Sequence, residues 1–209
     1  MGTAERRERQ RENVRTAIIE AARDILSAQG PSGLSMRAIA DRIEYSPATI
    51  YLYFKDKDEL VGEVCTEAFE VLNDYVRREV AGEGETANAA EQYGAIGRAY
   101  ARFALDHTAY FRVMFELPQV PHMDCPEPDA PGSLESVVAT VQRGVDEGHI
   151  DSKNARRTAV IGWGLVHGLT SLYLTGHLRD AASTNEEFME LIAEAMQTMN
   201  LCGAKPVAQ

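Results

Sequence analysis

Residues 35–54 read SMRAIADRIEYSPATIYLYF, and this stretch predicts how the N-terminal part of the chain folds. Ser35 and Ser46 each precede a helix-forming run, and serine is a preferred residue just before the first helical turn. Pro47 occupies the first position of the second run, where its missing N–H costs nothing. Two short helices joined by a turn of about three or four residues are the pattern of a helix-turn-helix.

The same stretch divides into an inner and an outer set of side chains. A shared core is predicted from Ile39, Ile43, Ile50 and Phe54, with Ala40 where the helices approach each other. The outer set is nearly free of charge and consists of Thr49, Tyr51, Leu52 and Tyr53. Such a face suits the major groove, where tyrosine reaches phosphates and apolar groups meet thymine methyls. On pattern alone, an ordinary helical hairpin with aromatic packing explains it equally well.

The flanking sequence predicts more helices. Apolar residues recur every three or four positions in 7–29, and Gly30, Pro31 and Gly33 then end that helix. Asp56 is predicted to start a helix that runs to about residue 80. Further helices are expected at residues 88–105, 109–116, 134–147, 154–178 and 186–200, with a proline-rich loop at 117–132. Strand-like alternation is absent from the sequence, so the predicted fold is all-α.

Charge is distributed unevenly along the chain. The net charge is −11, which by itself argues against DNA as a partner. However, residues 1–60 carry ten basic and ten acidic side chains, so the entire excess lies in the remainder. A neutral N-terminal segment followed by an acidic remainder is compatible with a protein that contacts DNA through its N-terminal part only.

Several classes of protein receive no support from the sequence. No apolar run approaches the length of a membrane span, and the Arg- and Glu-rich N-terminus is not a secretory signal, so a cytoplasmic location is expected. Cys65, Cys125 and Cys202 are far apart and form no metal-binding pair. His122, Asp124 and Cys125 are close in sequence, but so short a run does not encode a metal site. The sequence contains neither a cofactor-binding motif nor a combination of residues typical of a catalytic site.

One longer stretch resembles a known family. Residues 21–64, AARDILSAQGPSGLSMRAIADRIEYSPATIYLYFKDKDELVGEV, follow the pattern of the TetR (tetracycline-repressor-like) family almost throughout. The one departure is Glu44, since the family usually has glycine in the turn. A left-handed backbone at a glutamate is mildly strained. The resemblance implies a three-helix DNA-binding domain at residues 1–56 and a helical ligand-binding and dimerisation domain at 57–209.

The resemblance also implies roles for individual residues. Ser35 and Arg37 are expected to meet phosphate, as are Lys55 and Lys57 beside the next helix. The recognition helix is expected to supply Ser46, Ala48, Thr49, Tyr51, Leu52 and Tyr53. Arg6, Arg7, Arg9 and Arg11 are candidates for an arm on the DNA backbone. Because Glu5, Glu8 and Glu12 alternate with them, a solvated helix extension is the favoured interpretation.

The C-terminal part carries a weaker resemblance. Residues 162–173, GWGLVHGLTSLY, resemble the TetR C-terminal type named for its Trp-His-Gly signature, here Trp163, His167 and Gly168. Gly164 and Gly168 are four residues apart and are predicted to let another helix come close. For His167, a core histidine bonded to a neighbour is favoured over direct ligand contact.

A ligand cavity and a dimer interface are expected in this C-terminal part. Bulky apolar and soft side chains predict a cavity for a small, mainly hydrophobic effector, bordered by Phe103, His107, Phe111, Met114, Phe115, Trp163 and His167. The helices at 154–178 and 186–200 occupy the family's dimer positions. Their apolar faces are predicted to be Ile161, Leu165, Leu169 and Leu172, and Phe188, Leu191, Ile192, Ala195 and Met199.

The sequence therefore predicts a homodimeric repressor that holds a palindromic double-stranded operator and releases it when an effector binds. Two alternatives stay open at this point. One is a DNA-binding regulator without a ligand, which would have a solid C-terminal core. The other is a helical enzyme with His107 or His167 as a base, for which no supporting set of residues is found.

Overall fold

The computed structural model describes residues 3–30, 32–115 and 130–201. In this part of the chain the regular elements are nine α-helices and no strand, which confirms the predicted all-α class. In chain order they are α1 Thr3–Gln29, α2 Met36–Arg42, α3 Pro47–Ile50, α4 Lys57–Gly82, α5 Ala89–Asp106, α6 Thr108–Phe115, α7 Leu134–Asp146, α8 Ala155–Leu174 and α9 Asn185–Leu201.

The chain forms two compact units. Of the described residues, the first unit contains 3–68 and 107–115, which are α1, α2, α3, the start of α4, and α6. Its core is made by wholly buried side chains from each of these helices: Ile18, Leu26, Ile39, Ile50, Phe54, Leu60 and Phe111. The expected functional division at residue 56 stays a prediction, since these units are defined by packing.

The second unit contains 69–106 and 130–201 of the described residues. Its centre is α5, which contacts α7, α8 and α9. Small residues permit this: a Cβ at Gly97 would lie 2.9 Å from Met196, and a Cβ at Gly162 would collide with the Tyr93 hydroxyl. That hydroxyl donates a hydrogen bond to the Thr158 carbonyl oxygen, 3.2 Å away. Burial raises the Tyr93 pKa to about 12, so the phenol stays protonated.

Helix α8 ends earlier than the predicted residue 178. Gly176 takes a left-handed conformation, with φ of 79°. The His177 N–H then donates to the Leu172 carbonyl at 2.9 Å, which closes the last turn in the manner of a Schellman motif. The apolar periodicity of the sequence continues through Leu178, but the α-helical backbone ends at Leu174.

One detail of the expected apolar faces is wrong. Phe188 and Ile192 are completely buried inside the chain's own second unit, so they are core residues and not surface available to another copy. The close approach of a helix within the chain occurs at Gly162. At Gly164 and Gly168, by contrast, a Cβ would meet no atom within 4 Å.

Other features bear on the classes considered above. No helix among the described residues is long and apolar enough to cross a membrane. Within the same ranges, no group of three or more His, Cys, Asp or Glu side chains is placed to hold a metal ion. Cys65 is buried, which raises the pKa of its thiol to about 11 and suppresses thiolate chemistry. Cys125, Cys202, His122, Asp124 and residues 117–129 of the proline-rich loop lie outside the described residues.

Candidate functional site

The helix-turn-helix begins with the predicted cap at Ser35. Its backbone is extended and its hydroxyl oxygen accepts a hydrogen bond from the Ala38 N–H at 3.1 Å. The cap fixes the start of α2, which buries Met36, Ile39 and Ala40. Arg37 is exposed on the first turn. Ser35 and Arg37 are thereby held side by side on one rigid element.

The turn between α2 and α3 has the left-handed residue that the sequence suggested. Glu44 has φ of 59° and is the only non-glycine residue with positive φ in the described ranges. This conformation lets the Tyr45 N–H donate to the Ala40 carbonyl at 2.9 Å, which ends α2. The bond fixes the direction in which the chain enters α3, at the cost of a conformation that favours glycine.

A second serine cap starts α3. The Ser46 oxygen accepts from the Thr49 N–H at 3.2 Å, and the two hydroxyls lie 3.0 Å apart. Pro47 occupies the first helical position as predicted. Regular α-helix ends at Ile50 rather than near Phe54, and residues 51–53 continue as a hydrogen-bonded turn. The Phe54 N–H still donates to the Ile50 carbonyl, so the segment remains helical in outline.

The outer face of this segment is aromatic and apolar. Tyr51 is 55% exposed and Leu52 is 75% exposed, although leucine normally avoids water. Ala48 is also exposed, while Thr49 and Tyr53 are half-buried. Tyr45, absent from the predicted set, is 44% exposed. Its signal was its position directly after the left-handed residue, where a side chain points away from the core.

The start of α4 is capped by two carboxylates. The Asp56 carboxylate accepts from the Glu59 N–H at 2.9 Å, and the Glu59 carboxylate accepts from the Lys55 N–H. The Asp56 carboxylate thus satisfies one N–H group of the first turn of α4, and the Glu59 carboxylate satisfies one N–H group just before it. Lys55 is exposed and Lys57 is half-buried.

The seven predicted ligand-contacting residues are divided between the two units. The first unit contains His107, Phe111, Met114 and Phe115, and the second contains Phe103, Trp163 and His167. Phe103, Phe111 and Met114 are buried, and the His107 ring stacks on Tyr110 at 5.7 Å between centroids. Trp163 is 45% exposed, so it is a surface residue of α8 in this chain.

His167 belongs to a chain of polar contacts in the second unit. The Tyr100 hydroxyl lies 2.9 Å from His167 Nδ1, and Trp163 Nε1 donates to the same hydroxyl at 3.5 Å. Because an indole can only donate, the Tyr100 oxygen accepts and its proton is free for Nδ1. Burial raises the pKa of Tyr100, which keeps this proton in place. A hydrogen-bonding neighbour, as expected for His167, is therefore present, and contact of His167 with a ligand stays a prediction.

Comparison with known proteins assigns the fold to a family. Residues 18–64 match the family model described as "Bacterial regulatory proteins, tetR family". Residues 93–196, which include Trp163, His167 and Gly168, match "Tetracyclin repressor-like, C-terminal domain". Together the matches cover more than two thirds of the chain. The chain belongs to the TetR family.

The individual proteins compared with this chain have sequence identities of 30% or less. The HTH-type transcriptional regulator Rv1816 of Mycobacterium tuberculosis is 30% identical over 129 residues, which is 61% of this chain and 54% of that protein. The chain thus spans about half the length of this curated relative. A protein of unknown function from Rhodococcus sp. RHA1 has a similar structure, with a TM-score of 0.75 at 24% identity over 91% of this chain and 95% of that one. RolR, crystallised with the ligand resorcinol, has a TM-score of 0.62 at 15% identity over 97% and 98% of the two chains.

The left-handed turn yields a testable prediction. Replacing Glu44 by glycine removes the steric cost of a Cβ at positive φ and is expected to stabilise the first unit by about 1 kcal/mol. The measurement is urea unfolding followed by far-UV circular dichroism.

Glu44→Gln is the matched control, because it removes the charge and keeps the Cβ. An equal gain in the glutamine variant would show that charge, and not backbone strain, is responsible.

Proposed function

We propose that this chain is a DNA-binding transcriptional repressor that reads base edges with the segment 46–54. The observation that carries the proposal is the exposure of Tyr51 and Leu52 on an element whose neighbours Ile50 and Phe54 are fully buried. A rigid, uncharged face of this kind is costly in water. Contact with thymine methyls and base edges in a major groove removes this face from water and is therefore favourable in free energy.

Phosphate contacts would orient this face on the duplex. Arg37 and Lys55 are exposed cations on either side of the recognition segment, and Ser35 and Ser46 stand at the starts of the two helices. Lys57 is the first residue of α4. Because Asp56 and Glu59 cap that helix, its lysines would act as charges rather than together with an open helix terminus. Thr49, Tyr53 and Ala48 complete the proposed set.

The DNA-binding role is tested by Tyr51→Ala. Loss of the exposed ring is expected to weaken binding to a duplex selected from a random library by at least about tenfold, since one good base contact contributes about 1–3 kcal/mol. Fluorescence anisotropy of the labelled duplex gives the dissociation constant. Circular dichroism should be unchanged, because the ring contributes little to the core.

The matched control is Tyr173→Phe in the second unit, which should bind the selected duplex like the wild type. Undiminished binding by both Tyr51→Ala and Leu52→Ala would exclude this segment as the reader of the duplex.

We further propose a homodimer that places two recognition segments on a palindromic operator. The support is an unpartnered apolar strip along α8. Ile161 is 60% exposed and Leu172 is 44% exposed. Between them, Gly164 and Gly168 leave room for a helix of a second copy to approach closely.

On α9, Leu191, Ala195 and Met199 stay half-buried and would extend this surface. Leu165 and Leu169 on α8 are half-buried as well.

Ile161→Glu is expected to dissociate the dimer, because it buries an unpaired carboxylate in the proposed interface. Sedimentation velocity at micromolar concentration should show a monomer, and affinity for the selected duplex should fall in parallel. Ala139→Glu, at an exposed position of α7, adds the same charge and should remain dimeric. A wild-type protein that sediments as a monomer would refute the dimer.

The repressor is proposed to release DNA when a small, mainly hydrophobic ligand binds the C-terminal domain. The Tyr100–His167 pair supports this proposal, since it puts two orienting polar groups among apolar side chains. A ligand hydroxyl is a suitable partner for such a pair. RolR, a protein of the same fold, binds resorcinol in its crystal structure. Of the residues expected at the ligand, Phe103, Trp163 and His167 belong to the second unit and are the proposed contacts.

A screen of phenols, resorcinol among them, tests ligand release. Each compound is added to the complex with the selected duplex, and DNA release is followed by anisotropy. Trp163 is the only tryptophan, so its fluorescence reports binding to this part of the chain directly. For an active compound, Tyr100→Phe is expected to weaken release by about tenfold through the loss of one buried hydrogen bond, with DNA binding unchanged.

A regulator without a ligand is the second candidate, and it predicts that no compound in a broad hydrophobic panel releases DNA or changes Trp163 fluorescence. A cytoplasmic location follows from the proposed role on DNA and stays a prediction with it.

A further inference from the structure

An open cavity lies in the second unit where the chain turns from α8 into α9. Its volume is about 400 Å³, which is typical of a site for a small molecule. The walls come from the end of α5, the end of α8, the turn that follows and the start of α9. Phe103, Trp163 and His167, the contacts proposed for the effector, are not among the described side chains that line it.

Backbone hydrogen bonds hold the turn in shape. After the His177 N–H has closed α8, the Ala182 N–H donates to the Leu178 carbonyl at 2.8 Å. Ala182 is buried, which anchors the turn in the second unit. At the start of α9, the Glu187 carboxylate accepts hydrogen bonds from the N–H and the hydroxyl of Ser183. The cavity is therefore preformed, which lowers the cost of ordering it around a ligand.

Arg179 is the one charged residue among the described residues that line the cavity. Its guanidinium lies against the turn, since a Cβ added at Gly176 would be 3.3 Å from Arg179 Nε. Arg179 is exposed and forms no hydrogen bond or ion pair with any described residue. By contrast, Arg98, Arg102 and Arg156 of the same unit each pair with a carboxylate. The cavity thus offers a positive charge that the chain itself does not neutralise.

Two carboxylates lie close to the cavity in sequence, and neither lines it. Glu187 accepts hydrogen bonds from Ser183 and from the Thr184 N–H, and these bonds lower the pKa of its carboxyl. Asp180 follows Arg179 in the chain without forming an ion pair with it. Because both carboxylates are negative, the surroundings favour a ligand with a single negative charge over a dianion such as phosphate.

Asn185 supplies a second hydrogen-bond donor. Its Oδ1 accepts the hydroxyl proton of Tyr173 at 2.8 Å, which leaves the amide N–H groups for another partner. The hydroxyl protons of Thr175 and Ser183 are already donated within the chain. The side chains with N–H groups left to offer are therefore Arg179 and Asn185, and both require an acceptor.

The rest of the cavity suits an apolar ligand body. Leu105, Leu174 and Ala182 contribute aliphatic surface. The Tyr173 ring stacks on Phe188 with 4.2 Å between the ring centroids, which fixes the hydroxyl that orients Asn185. A ligand that fits this lining has one acceptor group with a negative charge and a small apolar body.

We propose that this cavity binds a small organic monocarboxylate. The guanidinium of Arg179 pairs with the carboxylate, and the Asn185 amide donates a further hydrogen bond to it. The apolar body of the acid lies on Leu105, Leu174 and Ala182. This site goes beyond the proposed DNA-binding and effector-binding functions and depends on neither of them.

Fluorine NMR titration of the full chain without DNA tests the site, with 4-fluorobenzoate and its neutral isostere 4-fluorobenzamide as probes. Ionic strength is held constant, because salt screens the exposed guanidinium. The wild type is expected to bind one 4-fluorobenzoate per chain with a dissociation constant of about 1 mM or lower. The benzamide should bind at least about tenfold more weakly, since it lacks the charge that strengthens the hydrogen bonds.

Arg179→Gln is expected to weaken binding of 4-fluorobenzoate by at least about tenfold, and Asn185→Ala by about threefold or more. Arg157→Gln is the matched control, because it removes the same charge from another exposed position, in the first turn of α8. It should change the affinity by less than about twofold. Circular dichroism of all three variants should match the wild type, because none of these side chains is buried.

Three results would overturn the site. One is a wild-type protein that binds no 4-fluorobenzoate or binds the benzamide equally well. Another is an equal loss in Arg157→Gln and Arg179→Gln, which would mean that net charge alone matters. The third is binding that survives Arg179→Gln and changes Trp163 fluorescence, which would place the acid at the proposed effector contacts.

Discussion

Ile50 and Phe54 are the two anchors on which the N-terminal unit depends. They are four residues apart, so they lie on one side of a helical turn, and both are almost completely buried. This geometry forces Tyr51 and Leu52 onto the opposite side, into solvent. Phe54 also lies under the guanidinium of Arg15, which ties the direction of α1 to the same anchor. The outward aromatic face and the seat of Arg15 on Phe54 are two consequences of one buried pair.

The turn before this segment shows how a strained residue is tolerated. Glu44 takes a conformation that glycine adopts freely, and the bond from the Tyr45 N–H to the Ala40 carbonyl depends on it. The turn sets the direction in which the chain enters α3. The cost of about 1 kcal/mol is small beside the burial of Ile50 and Phe54, each of which contributes about 1.5–3 kcal/mol. Packing therefore decides the backbone here.

Features that depend on neighbours in sequence could be predicted from sequence. The caps at Ser35 and Ser46, Pro47 at the first helical position, and the left-handed Glu44 are all local. Features that depend on which surface faces which could not. Periodicity identified Phe188 and Ile192 as apolar positions of α9, and both are buried within their own chain. The sequence pattern of an apolar helix face is the same whether the face packs on its own chain or on a second copy. Trp163 was expected to border a cavity, and only the structure shows that its place on α8 leaves it nearly half exposed.

The charge of the chain illustrates the same difference between composition and placement. A net charge of −11 would repel DNA if it were spread evenly, but screening limits each charge to a range of about 8 Å at physiological salt. What a phosphate experiences is the local charge, which includes the exposed side chains of Arg37 and Lys55. Arg37 and Lys55 belong to residues 1–60, whose charges balance, and the acidic excess lies in the remainder of the chain. The total charge is therefore a poor guide to which part of the chain approaches DNA.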